Sequence, residues 1–279
     1  MVRPRESYDQ HLLEAVLHIV PEPVDVRWLQ DVFGNSVAIA TFDKRADELV
    51  IESRVKLIHK PEPPSSIAIE AYARQYPFTY AAEDMPDLLR SIERQNLDPG
   101  RKVDAWARGF INHHGPTDTL AMLVAMTEAI RSDFTYKSRS EKGTQSPLET
   151  LQRREGTCRD FAMLMIEAVR ALGLAGRFCS GYLYSAKRRR KYLGGGNTHA
   201  WVRVYLPGSG WIEFDPTNGI IGNTGLIRVA VARDIYQAVP ISGSWTGFPG
   251  SFLGMDVAVN VEATPDADPD LSKPHAIGD

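Results

Sequence analysis

Hydrophobic periodicity changes twice along this chain of 279 residues, and these changes limit the folds that it can adopt. From residue 12 to about residue 60, apolar and polar residues alternate with a period of two, which is typical of half-buried strands. Turn-forming stretches at 33–36 and 44–47 divide this region and predict a meander of hairpins. The prolines of KPEPP at 60–64 cannot continue a central strand, because each one removes a ladder donor. We therefore predict a small β-sandwich-like domain over residues 1–64.

Helical periodicity replaces the alternation further along the chain. It predicts helices at 85–95, 103–111, 118–130 and 147–154, and a further helix that begins near residue 157. Strand-like alternation returns at 177–184, 199–206, 211–215, 227–232 and 255–262. Because helices precede strands, the predicted fold class is α+β, with a second domain over residues 65–263. The polar residues 264–279 predict a disordered tail.

Composition and charge narrow the functional classes. The formal net charge of −3 gives no global basic field, so nucleic acid and anionic membranes are not expected partners. Two cysteines are too few for a secreted disulfide framework, and the polar N-terminal sequence MVRPRESYDQ does not resemble a signal peptide. No apolar run reaches the length of a membrane span. We expect a cytoplasmic protein.

Cys158 lies in the sequence GTCRD, which has the pattern of a helix start. Thr157 can cap the helix and Asp160 can reach back to it, as in a capping box. The free N–H groups and the positive end of the helix dipole favour a negative charge on the thiol there. A buried structural cysteine is the alternative for Cys158. We prefer that alternative for Cys179, because it lies within an apolar strand with no histidine nearby in sequence.

His199 and Asp215 are predicted to be neighbours in space. His199 begins a strand after a glycine-rich loop, and Asp215 ends the next strand. The turn PGSG at 207–210 joins the two strands into a hairpin, so both residues lie at its open end. A carboxylate there can fix the tautomer and orientation of the imidazole, which can then hold the proton of a thiol.

These stretches resemble the core motifs of bacterial transglutaminase-like proteins. The similar segments are GTCRDFA, SGYL at 180–183, THAWV and FDPTNG, together with DVFGN at 31–35 and RVAVARD at 228–234. The resemblance implies a papain-like catalytic domain, in which helices pack on an antiparallel sheet, after an N-terminal β-domain. It also implies that Cys158 is the nucleophile, His199 the base and Asp215 the orienting carboxylate. The family usually has GRDY where this chain has ARDI, so no role is assigned to Tyr236.

The predicted reaction is attack of the Cys158 thiolate on an amide carbonyl of a peptide or protein, which gives a thioester. Water would complete hydrolysis, as in a cysteine peptidase or amidase, whereas an amine would complete acyl transfer. A binding or scaffold protein without turnover is the third alternative. The N–H of Cys158 is one expected oxyanion donor, and Gln145 is a candidate for the second. No cofactor is expected, and no metal, because the chain lacks paired metal-ligand motifs. The oligomeric state is not predicted.

A run of five basic residues, KRRRK at 187–191, precedes three glycines at 194–196. One hypothesis is a flexible lip beside His199 that favours acidic substrates or an acidic partner. The alternative is a solvated charge run without a specific role.

Overall fold

The N-terminal region forms two β-hairpins. The computed structural model describes residues 1–137, 143–184, 197–248 and 250–263. Strands β1 (Gln10–Val20) and β4 (Val50–His59) pair antiparallel, and so do strands β2 (Asp25–Gln30) and β3 (Ser36–Thr41).

The predicted meander is therefore wrong in its pairing, because β4 pairs with β1 and not with β3. The reason is length. β1 has 11 residues and β4 has 10, so their ladder can run from Gln10 opposite His59 to Val20 opposite Val50, whereas β3 has only six residues to offer. The β2–β3 hairpin is inserted between the two long strands.

The predicted helices are confirmed, with ends that shift by up to three residues. Strands of two residues lie before the first helix and between most of the others. In chain order the elements are β5 (Gln75–Tyr76), α1 (Met85–Ile92), α2 (Lys102–Arg108), β6 (Thr117–Asp118), α3 (Thr119–Asp133), β7 (Thr135–Tyr136), α4 (Pro147–Arg153), β8 (Glu155–Gly156) and α5 (Cys158–Ala171).

A five-stranded antiparallel sheet follows and carries the site. Its strands are β9 (Gly176–Leu183), β10 (His199–Leu206), β11 (Gly210–Asp215), β12 (Ile220–Ile221) and β13 (Leu226–Ala232), in the order β12-β11-β10-β9-β13. Twelve of the 14 residues of α5 are buried, so this helix is central rather than exposed on one side. Its apolar side chains share a core with those of the sheet, and this packing fixes α5 beside β9 and β10.

The strand predicted at 255–262 is wrong: residues 250–263 form no strand. The outer edge of β13, where another strand could add, is already occupied. Asn35 exchanges two hydrogen bonds with the main chain of Val231, at 2.8 and 2.9 Å, and the N–H of Arg5 donates to the carbonyl of Arg228 at 2.9 Å. Alternation alone cannot form a strand when no ladder is free.

Among the helices in the described ranges, none has the length and apolar character needed to cross a membrane. The predicted tail at 264–279 lies outside the described residues.

Candidate active site

Cys158 is the first residue of α5, and the local sequence explains why the helix begins there. The Asp160 carboxylate accepts hydrogen bonds from the main-chain N–H of Thr157 at 2.8 Å and from its hydroxyl at 2.9 Å. Gly156 permits this arrangement, because a Cβ at that position would lie 2.8 Å from the Cβ of Asp160. The predicted backward reach of Asp160 is confirmed. This capping interaction fixes Cys158 at the start of the helix, where the residue is only 7% exposed.

The β10–β11 hairpin brings His199 and Asp215 together, as the turn at 207–210 predicts. Its register places Val202 opposite Phe214, so His199 and Asp215 both lie at the open end of the hairpin. The Nε2 atom of His199 lies 2.8 Å from Oδ2 of Asp215, and both side chains are fully buried. A contact of this length between buried groups fixes the plane of the imidazole ring.

Asp215 is held as a carboxylate by its own turn. Its Oδ1 accepts from the N–H of Thr217 at 2.9 Å, and its Oδ2 accepts from the side-chain amide of Asn218 at 2.9 Å. Burial opposes ionisation, but the charge and hydrogen bond of His199 and the bonds of the turn more than offset it, so the pKa of Asp215 lies below its usual value.

The imidazole of His199 is stabilised in its charged form. Burial lowers the pKa of His199, but the charge and hydrogen bond of Asp215, followed by the Cys158 side chain, raise it to about 10. Cys158 is therefore within interaction range of the ring. The Nδ1 atom is buried and, among the described residues, has no partner of regular hydrogen-bond geometry. Because Nε2 is occupied by Asp215, Nδ1 is the nitrogen available to the thiol.

Two further residues support the imidazole and were missed in the sequence. Asn218 acts through Asp215, because its side-chain amide donates to Oδ2, the same oxygen that faces Nε2 of His199. The buried ring of Trp201 stacks on the imidazole, with 6.0 Å between ring centroids. Both had a signal. Asn218 follows Asp215 within a polar turn, and Trp201 follows His199 by two residues, so it lies on the same face of the strand.

Gln145 is placed beside the start of α5. Its main-chain N–H donates to Oδ1 of Asp160 at 2.8 Å, so the carboxylate that caps the helix also fixes Gln145. The Gln145 side chain is buried, and within the described residues its Oε1 has no hydrogen-bond partner.

The other sequence candidates lie elsewhere. Cys179 is fully buried in β9, where burial raises the pKa of its thiol to about 12, as suits a structural cysteine. Tyr236 is 72% exposed on the short 3-10 helix Ile235–Gln237. The basic run at 187–191 and the glycines at 194–196 lie outside the described residues. No group of three or more His, Cys, Asp or Glu side chains suited to a metal ion occurs in the described parts of the chain.

A small cavity of about 70 Å³ opens beside His199. Part of its wall is polar and part apolar, and it borders the 3-10 helix at 235–237. The lining residues are Arg159, Phe178, Ser180, Thr198, His199, Ala200, Ile235, Ala238, Val239 and Pro240.

Comparison with known proteins gives two family matches. Residues 1–57 match the bacterial transglutaminase-like N-terminal region, and residues 104–216, which include all three triad candidates, match the transglutaminase-like superfamily. These matched ranges do not test the domain boundaries predicted at residues 64 and 263, which stay predictions.

Relatives and a solved structure agree with these matches. The uncharacterized protein Rv2569c of Mycobacterium tuberculosis is 30% identical over 270 residues, which span 92% of this chain and 84% of that protein. The uncharacterized protein ML0607 of Mycobacterium leprae is 31% identical over 163 residues, 57% of this chain and 55% of that protein. A "putative cysteine protease" from Cytophaga hutchinsonii has a similar fold, with a TM-score of 0.63 and 21% identity over 85% of this chain and 76% of that chain.

The family match supports a cysteine-dependent enzyme in general, and the predicted α+β fold with its antiparallel sheet is confirmed. By its sequence and its fold, the chain belongs to the transglutaminase-like superfamily.

Proposed function

We propose that the protein is a cysteine-dependent amide hydrolase, a peptidase or amidase that acts on a peptide or protein. The observation that carries the proposal is the position of His199. Its Nε2 is held 2.8 Å from Asp215, its buried Nδ1 has no regular hydrogen-bond partner among the described residues, and Cys158 at the mouth of α5 helps to raise the pKa of the ring. A thiol, an imidazole and an orienting carboxylate in this order can support nucleophilic catalysis.

The first step forms an acyl-enzyme. The thiolate of Cys158 attacks the amide carbonyl, and the imidazolium of His199 gives its proton to the leaving amine as the C–N bond breaks. A thioester remains on the sulfur. The high pKa of His199 fits this role, because the ring carries a proton at neutral pH that it can transfer.

The second step releases the acyl group. The now neutral His199 accepts a proton from water as the water attacks the thioester, which restores the thiolate and the imidazolium. The oxyanion of both steps needs two donors. We propose the N–H of Cys158 and the side-chain amide of Gln145, because Asp160 binds the main chain of Gln145 and that of Thr157, the residue before Cys158.

Turnover of a peptide library tests the proposal. The wild type is compared with Cys158→Ala and Cys179→Ala, with and without an added primary amine. Hydrolysis by the wild type and Cys179→Ala, and none by Cys158→Ala, is expected. Product that forms only with the amine would show acyl transfer instead. Retained turnover in Cys158→Ala, or no turnover in any form of the protein, would contradict the proposal.

The cytoplasmic location and the absence of nucleic-acid contact remain predictions from composition.

A further inference from the structure

Arg159 immediately follows Cys158 and differs from its neighbours in exposure. Cys158 and Asp160 are buried, whereas the Arg159 side chain is exposed and lines the cavity beside His199. Successive residues of a helix point about 100° apart, so the nucleophile faces the sheet while Arg159 faces the opening. Within the described part of the chain, Arg159 has neither an ion pair nor a hydrogen bond. Its guanidinium donors are available to a ligand.

The cavity beside Arg159 is suited to an anion. Among the described residues that line it, Arg159 and His199 are the only ionisable ones, and none is a carboxylate. The carboxylates of the catalytic site are already engaged, since Asp215 binds His199 and Asp160 binds Thr157. A negative charge that enters the cavity therefore meets cations without meeting a competing anion.

The remaining wall of the cavity limits the size and the polarity of the group that can enter it. The remaining lining is largely apolar, and the Ser180 hydroxyl already donates to the carbonyl of Ala238 at 3.2 Å. A volume of about 70 Å³ suits a carboxylate on a short aliphatic stem better than an aromatic side chain.

We propose that Arg159 selects substrates that carry a carboxylate next to the scissile amide, by forming a charge-assisted hydrogen bond with it. The carboxylate is either the side chain of a flanking Glu or Asp or the free carboxylate of a chain end. This inference rests on the proposed function. It adds a substrate preference and changes neither the bond that is cleaved nor the chemical steps.

Matched peptides test the selection. One pair has Glu or Gln beside the scissile bond, which changes the charge at constant shape, and a second pair ends in a free carboxylate or an amide at that place. In the wild type, kcat/KM is expected to favour the anionic member by roughly fivefold to tenfold. The pair that shows this preference identifies the source of the carboxylate.

Variants at Arg159 assign the preference. Arg159→Gln should bring the ratio close to one, Arg159→Lys should keep part of it, and Arg159→Glu should reverse it. The matched control is Arg153→Gln on α4, an exposed arginine outside the cavity, which should leave the ratio at the wild-type value. A wild-type ratio near one, or an equal ratio in the wild type and Arg159→Gln, would overturn the proposal.

Alkylation separates this proposal from the proposed function. Iodoacetate and iodoacetamide differ in charge but react with a thiol in the same way, so the ratio of their rates at Cys158, read by mass spectrometry, reports an anion site without any turnover. Arg159→Gln should lower the iodoacetate to iodoacetamide ratio about fivefold relative to the wild type. If no peptide is cleaved but this drop is found, the anion site stands and the proposed function fails. If peptides are cleaved and Arg159→Gln changes neither ratio, the anion site fails and the function stands.

Discussion

His199 keeps a charge that a buried imidazole would ordinarily lose. Burial lowers its pKa, but the Asp215 carboxylate and the Cys158 side chain more than offset this effect and raise the pKa to about 10. Because the raised pKa is that of the folded state, the imidazolium is present at neutral pH and is lost as the pH rises through about 10. The residue that controls this charge is Asp215.

The variant Asp215→Asn tests this control. The wild-type kcat/KM should fall in an alkaline limb near the pKa of about 10. In Asp215→Asn the limb should move toward the ordinary histidine value of about 6.5, and activity at pH 8 should fall by roughly a hundredfold or more. A pH–rate series on both proteins measures the limb. An unchanged limb in the variant would show that Asp215 does not hold the imidazolium.

Gln145 can be tested without disturbing the helix cap, because it is the main chain of Gln145 that donates to Asp160. Gln145→Ala removes only the side-chain amide. The expected loss in kcat is about a hundredfold to a thousandfold with little change in KM, since the donor acts on the oxyanion and not on the ground state. Gln152→Ala, at an exposed position of α4, serves as the control. A normal kcat in Gln145→Ala would exclude the amide as the second donor.

At the scale of elements, strand β9 passes β13 and His199 so closely that only glycine fits at one position. Gly181 lies opposite His199 in the sheet, and a Cβ there would lie 2.0 Å from the carbonyl oxygen of Ile227 and 2.8 Å from the Trp201 ring. The β13 ladder shifts register beside this point, between Arg228 and Ala230. The main chain cannot move away without separating the two strands.

Gly181→Ala should therefore destabilise the protein by about 2 kcal/mol or more, in the range of overpacked cores, and reduce turnover by displacing His199. Chemical denaturation with an activity assay measures both effects. Gly243→Ala is the matched control, because a Cβ at Gly243 meets nothing within 4 Å. Equal stability of the two variants would contradict the close approach.

Local sequence could predict the elements whose formation depends on residues that are close together in the chain. The start of α5 is encoded in Thr157 and Asp160, and the β10–β11 hairpin in the turn at 207–210, so the site's two halves could be predicted without a structure. The pairing of β1 with β4 could not, because it depends on a match between strands 30 residues or more apart in the chain. Local alternation predicts a strand and does not identify its partner.

At the scale of the whole molecule, a buried ion-pair cluster joins the N-terminal segment to the catalytic sheet. Arg228 of β13 donates through Nη1 to Asp9 at 2.8 Å and to Glu213 of β11 at 2.9 Å, and through Nη2 to the Ser7 hydroxyl at 2.7 Å. Asn223 adds a further hydrogen bond to Asp9. Asp9 and Arg228 are 219 positions apart, so no pattern in the sequence linked them.

Acid should weaken this junction. Burial raises the pKa of Asp9, but hydrogen bonds from Arg228, Ser7 and Asn223 more than offset it, and the net pKa lies well below the usual value. A lowered pKa in the folded state means that the stability is present above about pH 4 and is lost as the pH falls below it. Denaturation of the wild type and Asp9→Asn between pH 7 and pH 3 measures the effect. The variant should lose less stability than the wild type over this range, and equal losses would contradict the role of Asp9.

Removing the arginine itself should have a larger effect. Arg228→Met leaves the buried Asp9 carboxylate without its cation and leaves Glu213 with Arg203 alone, and breaking a buried pair in this way typically costs about 3–5 kcal/mol. Urea denaturation measures the loss, and Arg90→Met, an exposed arginine of α1, is the control that should be close to neutral. A loss below about 1 kcal/mol in Arg228→Met would show that the cluster contributes little to the junction.

The proposed chemistry depends on an interaction between the Cys158 thiol and an imidazole that Asp215 holds in place. The most direct measurement is the rate of iodoacetamide alkylation at each cysteine at neutral pH, read by mass spectrometry in the wild type and in His199→Gln. We predict that Cys158 reacts rapidly in the wild type and at least about a hundredfold more slowly in His199→Gln, because the imidazolium stabilises the reactive thiolate. The fully buried Cys179 should react in neither protein. Equal rates at Cys158 in the two proteins, or no reaction of Cys158 in the wild type, would contradict the account.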